Sequence, residues 1–183
     1  MEKKRYEEVA YILDFFPQGK SRYGRDYISE PLVHMIGEEF LTLLEASLKP
    51  GSTVTLQEHI YIGKNQRDKI NHIIGRVVYQ ELTPAAKSDL PILIEKIVKE
   101  KEQKYVNFFN IAKPITPRMH AFELLPGIGK KYMWQIINER EKKPFTNFID
   151  VQERTGLPDP VKMLVKRILE ELTTDQKYWI FTR

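Results

Sequence analysis

The sequence predicts an α+β protein of two modules, a small β-barrel with helices followed by an all-α domain. Three observations carry this. The first half holds three dense runs of β-branched and aromatic residues separated by turn formers. The stretch from His120 to Arg140 reads as a helix, a Pro-Gly-Ile-Gly turn and a second helix. Charge divides along the same line: residues 113–183 hold thirteen Lys and Arg against nine Asp and Glu, while residues 1–112 are balanced. The predicted modules are 1–82 for the barrel, 83–114 for a helical spacer and 115–183 for the all-α domain.

In chain order, Val9 to Phe16 is a β-former run closed by Pro17 and Gly19, hence a strand. Residues 18–26 form a basic loop with two glycines. Glu38 to Leu48 has helical spacing of apolar residues and stops at Pro50-Gly51, so a helix is expected there. Residues 53–62 and 75–82 read as the second and third strands. Strands of this length around one embedded helix suggest a small closed or partly open barrel of the oligonucleotide-binding (OB-like) type. Arg22, Tyr23, Arg25, Tyr27, Lys64, Arg67, Lys69 and Arg76 interleave cations with aromatics, a mixture that suits single-stranded nucleic acid. Arg22, Tyr23 and Arg25 in the basic loop are the best candidates among them.

Thr83-Pro84 reads as a cap with proline at the first helical position, and a longer helix is expected from near Asp89 to Phe109. Its Lys/Glu-rich side is a solvated face. Pro114, Thr116 and Pro117 mark the boundary, with Thr116 as a cap. In the all-α domain, Gly127 and Gly129 are expected to enter positive φ and to leave no side chain above the turn. The amides of Gly127, Ile128 and Gly129 then face outward at the amino end of a helix, where backbone donors lack partners and the dipole favours an anion. Lys130 and Lys131 add charge beside it. The pattern resembles the helix-hairpin-helix motif, which grips nucleic-acid backbones without reading bases. Phe122, Leu125, Ile128, Met133, Ile136 and Ile137 are spaced to seal its two helices.

The connector 137–156 resembles that of tandem helix-hairpin-helix domains. Thr146 or Asn147 then starts a third helix, Gly156 to Pro160 is a second turn, and 161–172 is a fourth helix. Pro158 and Pro160 lack an N–H and Asp159 would repel a phosphate, so this second unit is expected to complete the fold. Tyr178 to Phe181 is a short apolar run expected either to return as a strand or to cover a core edge.

Chemistry beyond binding finds little support. No apolar run reaches the length of about 18 residues that a membrane span needs, and the amino terminus has no signal-peptide pattern. With no cysteine, disulfides and thiolate metal sites are excluded, and a cytoplasmic location is the expectation. Four scattered histidines form no metal-ligand pattern. Neither a phosphate-binding nucleotide loop nor a nucleophile elbow is present. Asp150 stands 21 residues after Gly129, a spacing similar to that of the catalytic Asp in helix-hairpin-helix DNA glycosylases. It also reads as the early acidic residue of a helix, and a base-flipping enzyme needs a deep cleft between helical lobes.

The segment Glu7 to Gly19, the central strands and Leu124 to Lys131 together resemble an archaeal family, domain of unknown function 655, over nearly the full length. The resemblance implies a barrel-like part before a helix-hairpin-helix part, and a nucleic-acid role, with RNA or the translation machinery among its settings. The expected function is non-catalytic binding of a nucleic-acid backbone, DNA or RNA, without a cofactor. The alternatives are a scaffold docking on a ribosomal or replication complex, and a glycosylase-like repair enzyme. A metal ion held by turn carbonyls is left open.

Overall fold

The structure is a computed structural model that describes residues 5–22 and 25–182, the side chains of residues 22, 25 and 26 excepted. It is a mixed α+β chain that divides into two compact units, residues 1–93 with 181–183, and residues 94–180.

The first unit is built on a curled, five-stranded antiparallel sheet, a half-barrel. Its strands are β1 (Val9–Phe16), β4 (Leu32–Gly37), β5 (Leu43–Leu48), β6 (His59–Tyr61) and β7 (Ile70–Arg76), in the order β6-β1-β4-β5-β7. A separate ribbon pairs β2 (Lys20–Arg22) with β3 (Arg25–Ile28). The sheet stays open, because β6 and β7 lie at its two edges and do not pair. A register break in β1 between Ile12 and Asp14, and two in the β5–β7 pairing that leave Asn71 and Ile74 of β7 extra, insert bulges that bend strands and curl a sheet. One face carries the apolar core of Ala10, Ile12, Val33, Met35, Ala46, Leu48 and Ile70, closed by Val54, Ile60 and Ile62.

The helix expected over 38–48 is instead a turn followed by β5. All six residues of β4 and all six of β5 are buried, so both faces of these strands are covered. Such strands lose polar alternation, and their apolar residues fit a helical spacing equally well. The turn is held by Glu7, whose carboxylate accepts the N–H groups of Glu39, Phe40 and Thr42 at 2.9, 3.0 and 3.1 Å. The strand expected over 53–62 shortens to β6, since residues 55–58 turn, with Gln57 at φ 64°. They still join β1 through the Gln57 N–H on the Ile12 carbonyl at 2.7 Å. The third expected strand lies earlier, at Ile70–Arg76, and Tyr79–Glu81 is a 3-10 turn.

Helix α1 (Pro84–Glu100) starts before the expected Asp89, with proline at its first position and Thr83 Oγ1 accepting the Ala86 N–H at 3.1 Å. Helix α2 (Glu102–Ile111) follows after a break at Lys101. Residues 114–117 do not cap a helix: Pro114–Thr116 (β8) pairs with Met119–His120 (β9). The chain then forms a 3-10 turn at Ala121–Leu124 and the helices α3 (Lys130–Lys142), α4 (Phe148–Thr155) and α5 (Pro160–Thr173).

Local signals set these ends. Asn147 Oδ1 accepts the Asp150 N–H at 2.7 Å to start α4, and Gly156 closes it in the left-handed region at φ 72°. Asp159 Oδ1 accepts the Lys162 N–H at 3.0 Å to start α5. Two arginines fasten carboxyl ends. Arg140 donates to the Phe109 and Ala112 carbonyls closing α2, and Arg154 to the Glu139 and Lys143 carbonyls closing α3. A third, Arg167, is buried and pairs with Glu171 at 2.9 Å, while donating to the Tyr178 carbonyl. The run 178–181 therefore returns half-buried without forming a strand.

Candidate nucleic-acid interface

The turn Leu125 to Gly129 joins the 3-10 turn to α3. Gly127 lies at φ 91°, in the region that favours glycine, and a Cβ there would approach Met163 Cε to 3.3 Å, so a side chain is disfavoured at this position. Gly129 differs from the expectation: at φ −97° and ψ −171° it is extended, and it serves as the N-cap of α3 without a capping side chain. Ile128 also differs. It is buried, and its N–H is consumed by the Leu125 carbonyl at 3.1 Å, so this amide is not an outward donor. The donors that remain without a protein acceptor among the described residues are the N–H groups of Gly127, Gly129, Lys130, Lys131 and Tyr132. Four of them, Gly129 to Tyr132, belong to the open amino end of a 13-residue helix.

The two lysines are not equivalent. Lys130 Nζ is engaged by Glu123 at 2.9 Å and reaches the Arg118 carbonyl. Glu123 in turn accepts the His120 N–H at 2.8 Å; that bond and the Lys130 contact hold its carboxyl below the usual range. His120 Nδ1 accepts the Phe122 N–H, and burial, with Arg140 beside the ring, pushes the imidazole pKa down. Lys131 is exposed and makes no ion pair among the described residues. Trp134 is 56% exposed and lies three and four residues past the lysines, on their face of α3. The sequence reading missed it, although the spacing was visible. The second turn is different, because Asp159 places a carboxylate on the amino end of α5, where an anion would otherwise sit.

In the half-barrel, Arg22 ends β2 and Arg25 opens β3. Their side chains, and Tyr23 altogether, lie outside the described residues. Lys20 of the same segment turns inward, 2.9 Å from Glu45 and 2.6 Å from His34 Nε2. His34 is fully buried; burial, then Lys20, lowers its pKa against the pull of Glu45. Lys69 is taken by Glu58. Lys64, Arg67 and Arg76 come together instead along a cleft of about 1090 Å³ that also holds Arg5, Tyr6 and Phe40.

Asp150 is committed to structure. Burial raises its pKa, but the bonds from the Thr146 N–H and Arg154 outweigh that and hold the carboxyl low. Among the described residues no group of three potential metal-ligating His, Cys, Asp or Glu side chains gathers. Nor is any described helix long and apolar enough to cross a membrane.

The family model described as "Protein of unknown function (DUF655)" matches residues 6–183. The uncharacterized protein MJ0038 of Methanocaldococcus jannaschii is 44% identical over 182 residues, covering 98% of this chain and 82% of that protein. The crystal structure of Af1531 from Archaeoglobus fulgidus superposes with a TM-score of 0.84 at 46% identity, covering 97% of this chain and all of that one.

Proposed function

The chain belongs to the DUF655 family of proteins of unknown function, and we propose that it is a non-catalytic nucleic-acid-binding protein that holds the phosphate backbone without reading bases. The observation that carries this is the amino end of α3, where several N–H groups without acceptors stand beside the unpaired Lys131. A phosphate oxygen is matched there by donors, by the positive end of the helix dipole and by a cation. On this reading the 3-10 turn and α3 form a helix-hairpin-helix grip, and α4 with α5 forms a second, structural hairpin whose anion position Asp159 fills. Trp134 then lies where it can rest on the sugar-phosphate or a frayed base.

Lys131→Glu tests the grip in fluorescence-anisotropy titrations against DNA and RNA, single- and double-stranded. It weakens binding about five- to tenfold at moderate salt and flattens the salt slope by about 1. Binding that is insensitive to this change removes the grip as the contact. If no nucleic acid binds at all, a docking role on a ribosomal or replication complex takes its place.

A further inference from the structure

We propose that the half-barrel cleft is a second, separate site that takes a single-stranded segment of nucleic acid, with a base stacked against Tyr6. The inference rests on the nucleic-acid reading and adds the strand type and the residues that receive it. At about 1090 Å³ the cleft is at or beyond the upper end of the range of about 300–1,000 Å³ usual for small-molecule sites, so it has room for a strand. Leu44, Ile62 and Ile73 supply apolar lining. Lys64, Arg67 and Arg76 stand around it, and none makes an ion pair among the described residues.

Lys113, Arg118, Lys143 and Lys166 also make no ion pair among the described residues, so what sets these three apart is that they gather along one cleft, while many other cations are engaged by carboxylates. Lys20, Lys69, Lys130, Lys142, Arg154 and Arg167 all have acidic partners. Two acids do line the cleft, yet Glu7 spends its carboxylate on three backbone N–H groups. Glu8 makes no ion pair with these cations. Aromatic rings stand among the charges: Lys64 Nζ lies 4.6 Å from the Tyr6 ring centre, and Tyr6 is 52% exposed. Phe40 is also on the lining, with the Arg5 guanidinium 5.7 Å from its ring centre. Unpaired cations track phosphates and an exposed ring stacks a base, which only an unpaired strand can present. A duplex keeps its bases stacked and offers only its backbone.

The test is anisotropy of the full chain with a labelled oligouridylate of about a dozen nucleotides, within the range of known single-strand site sizes, and with a duplex of equal length. The variants are Lys64→Glu with Arg76→Glu, Tyr6→Ala, and Lys131→Glu for comparison. Lys64, Arg76 and Tyr6 are exposed, so these changes leave the core intact. The double variant is expected to weaken the single strand about tenfold or more and to lower its salt slope by about 1.4, with the duplex changed far less. Tyr6→Ala is expected to weaken the single strand about tenfold. If the wild type binds a single strand and the double variant keeps that affinity within about twofold, the cleft is not the site, while the grip at α3 stands. If the wild type binds neither probe, both readings fall. Photo-cross-linking with a 4-thiouridine strand gives a second readout. Adducts in peptides carrying Tyr6 or Phe40 support the cleft, and adducts confined to other peptides overturn it.

Discussion

Lys130 and Lys131 are neighbours of identical chemistry, yet their environments give them different work. Glu123 holds Lys130 while also receiving the His120 N–H, so that lysine belongs to a local brace. Lys130→Glu therefore sets two carboxylates together and costs stability. Lys131→Glu leaves the melting temperature nearly unchanged and acts on binding alone; thermal unfolding beside titration separates the two. The buried histidines give a second prediction. His34 and His120 both have folded pKa values below the ordinary 6.5, chiefly through burial. Below about 6.5 the unfolded chain takes up protons that the folded one resists, so stability falls with falling pH. The contribution is complete above that value and is lost as the pH drops toward the folded values. Melting temperature is expected to decline from pH 7.5 to 5.5, before the carboxylates titrate; a flat profile over that window contradicts the assignment.

Helix ends show which parts of the chain were readable from sequence. Asn147, Gly156 and the Asp159-Pro160 pair bound α4 and α5, and each acts through atoms within a few residues of itself. Asn147→Ala is expected to cost about 1 kcal/mol in chemical denaturation. Gly127→Ala is expected to cost about 1–2 kcal/mol, since the left-handed backbone disfavours a Cβ and Met163 must give way. Strand β5 was unreadable for the opposite reason. Its residues are enclosed by partners far away in sequence, and burial on both faces erased the alternation that marks a strand. Gly129 and Ile128 were misread because a glycine pair does not say which member takes the positive φ or which amide the turn consumes. Lys20 looked like part of a basic loop, and only the sheet register, which sets His34 opposite Glu45, explains why it turns inward.

Across the chain, the net charge of +4 resides in residues 113–183, but cations that make no ion pair among the described residues are found in both units, although Arg67 Nε donates to the Gly63 carbonyl at 2.7 Å. Lys131 stands by the α3 turn in one; Lys64, Arg67 and Arg76 line the cleft in the other. Counting charge by segment therefore located the excess and missed the cleft, whose lining is drawn from residues 5–8, 40–44, 62–76 and 182 by the sheet. Backbone binding is defined by counterion release. The most direct measurement is the anisotropy affinity of the full chain for single- and double-stranded RNA and DNA across roughly 50–300 mM salt. The logarithm of the affinity is expected to fall linearly with the logarithm of salt, by about 0.7–0.9 for each phosphate engaged and with little dependence on sequence. No binding to any of the four at the lowest salt, or an affinity that salt leaves unchanged, would contradict backbone binding.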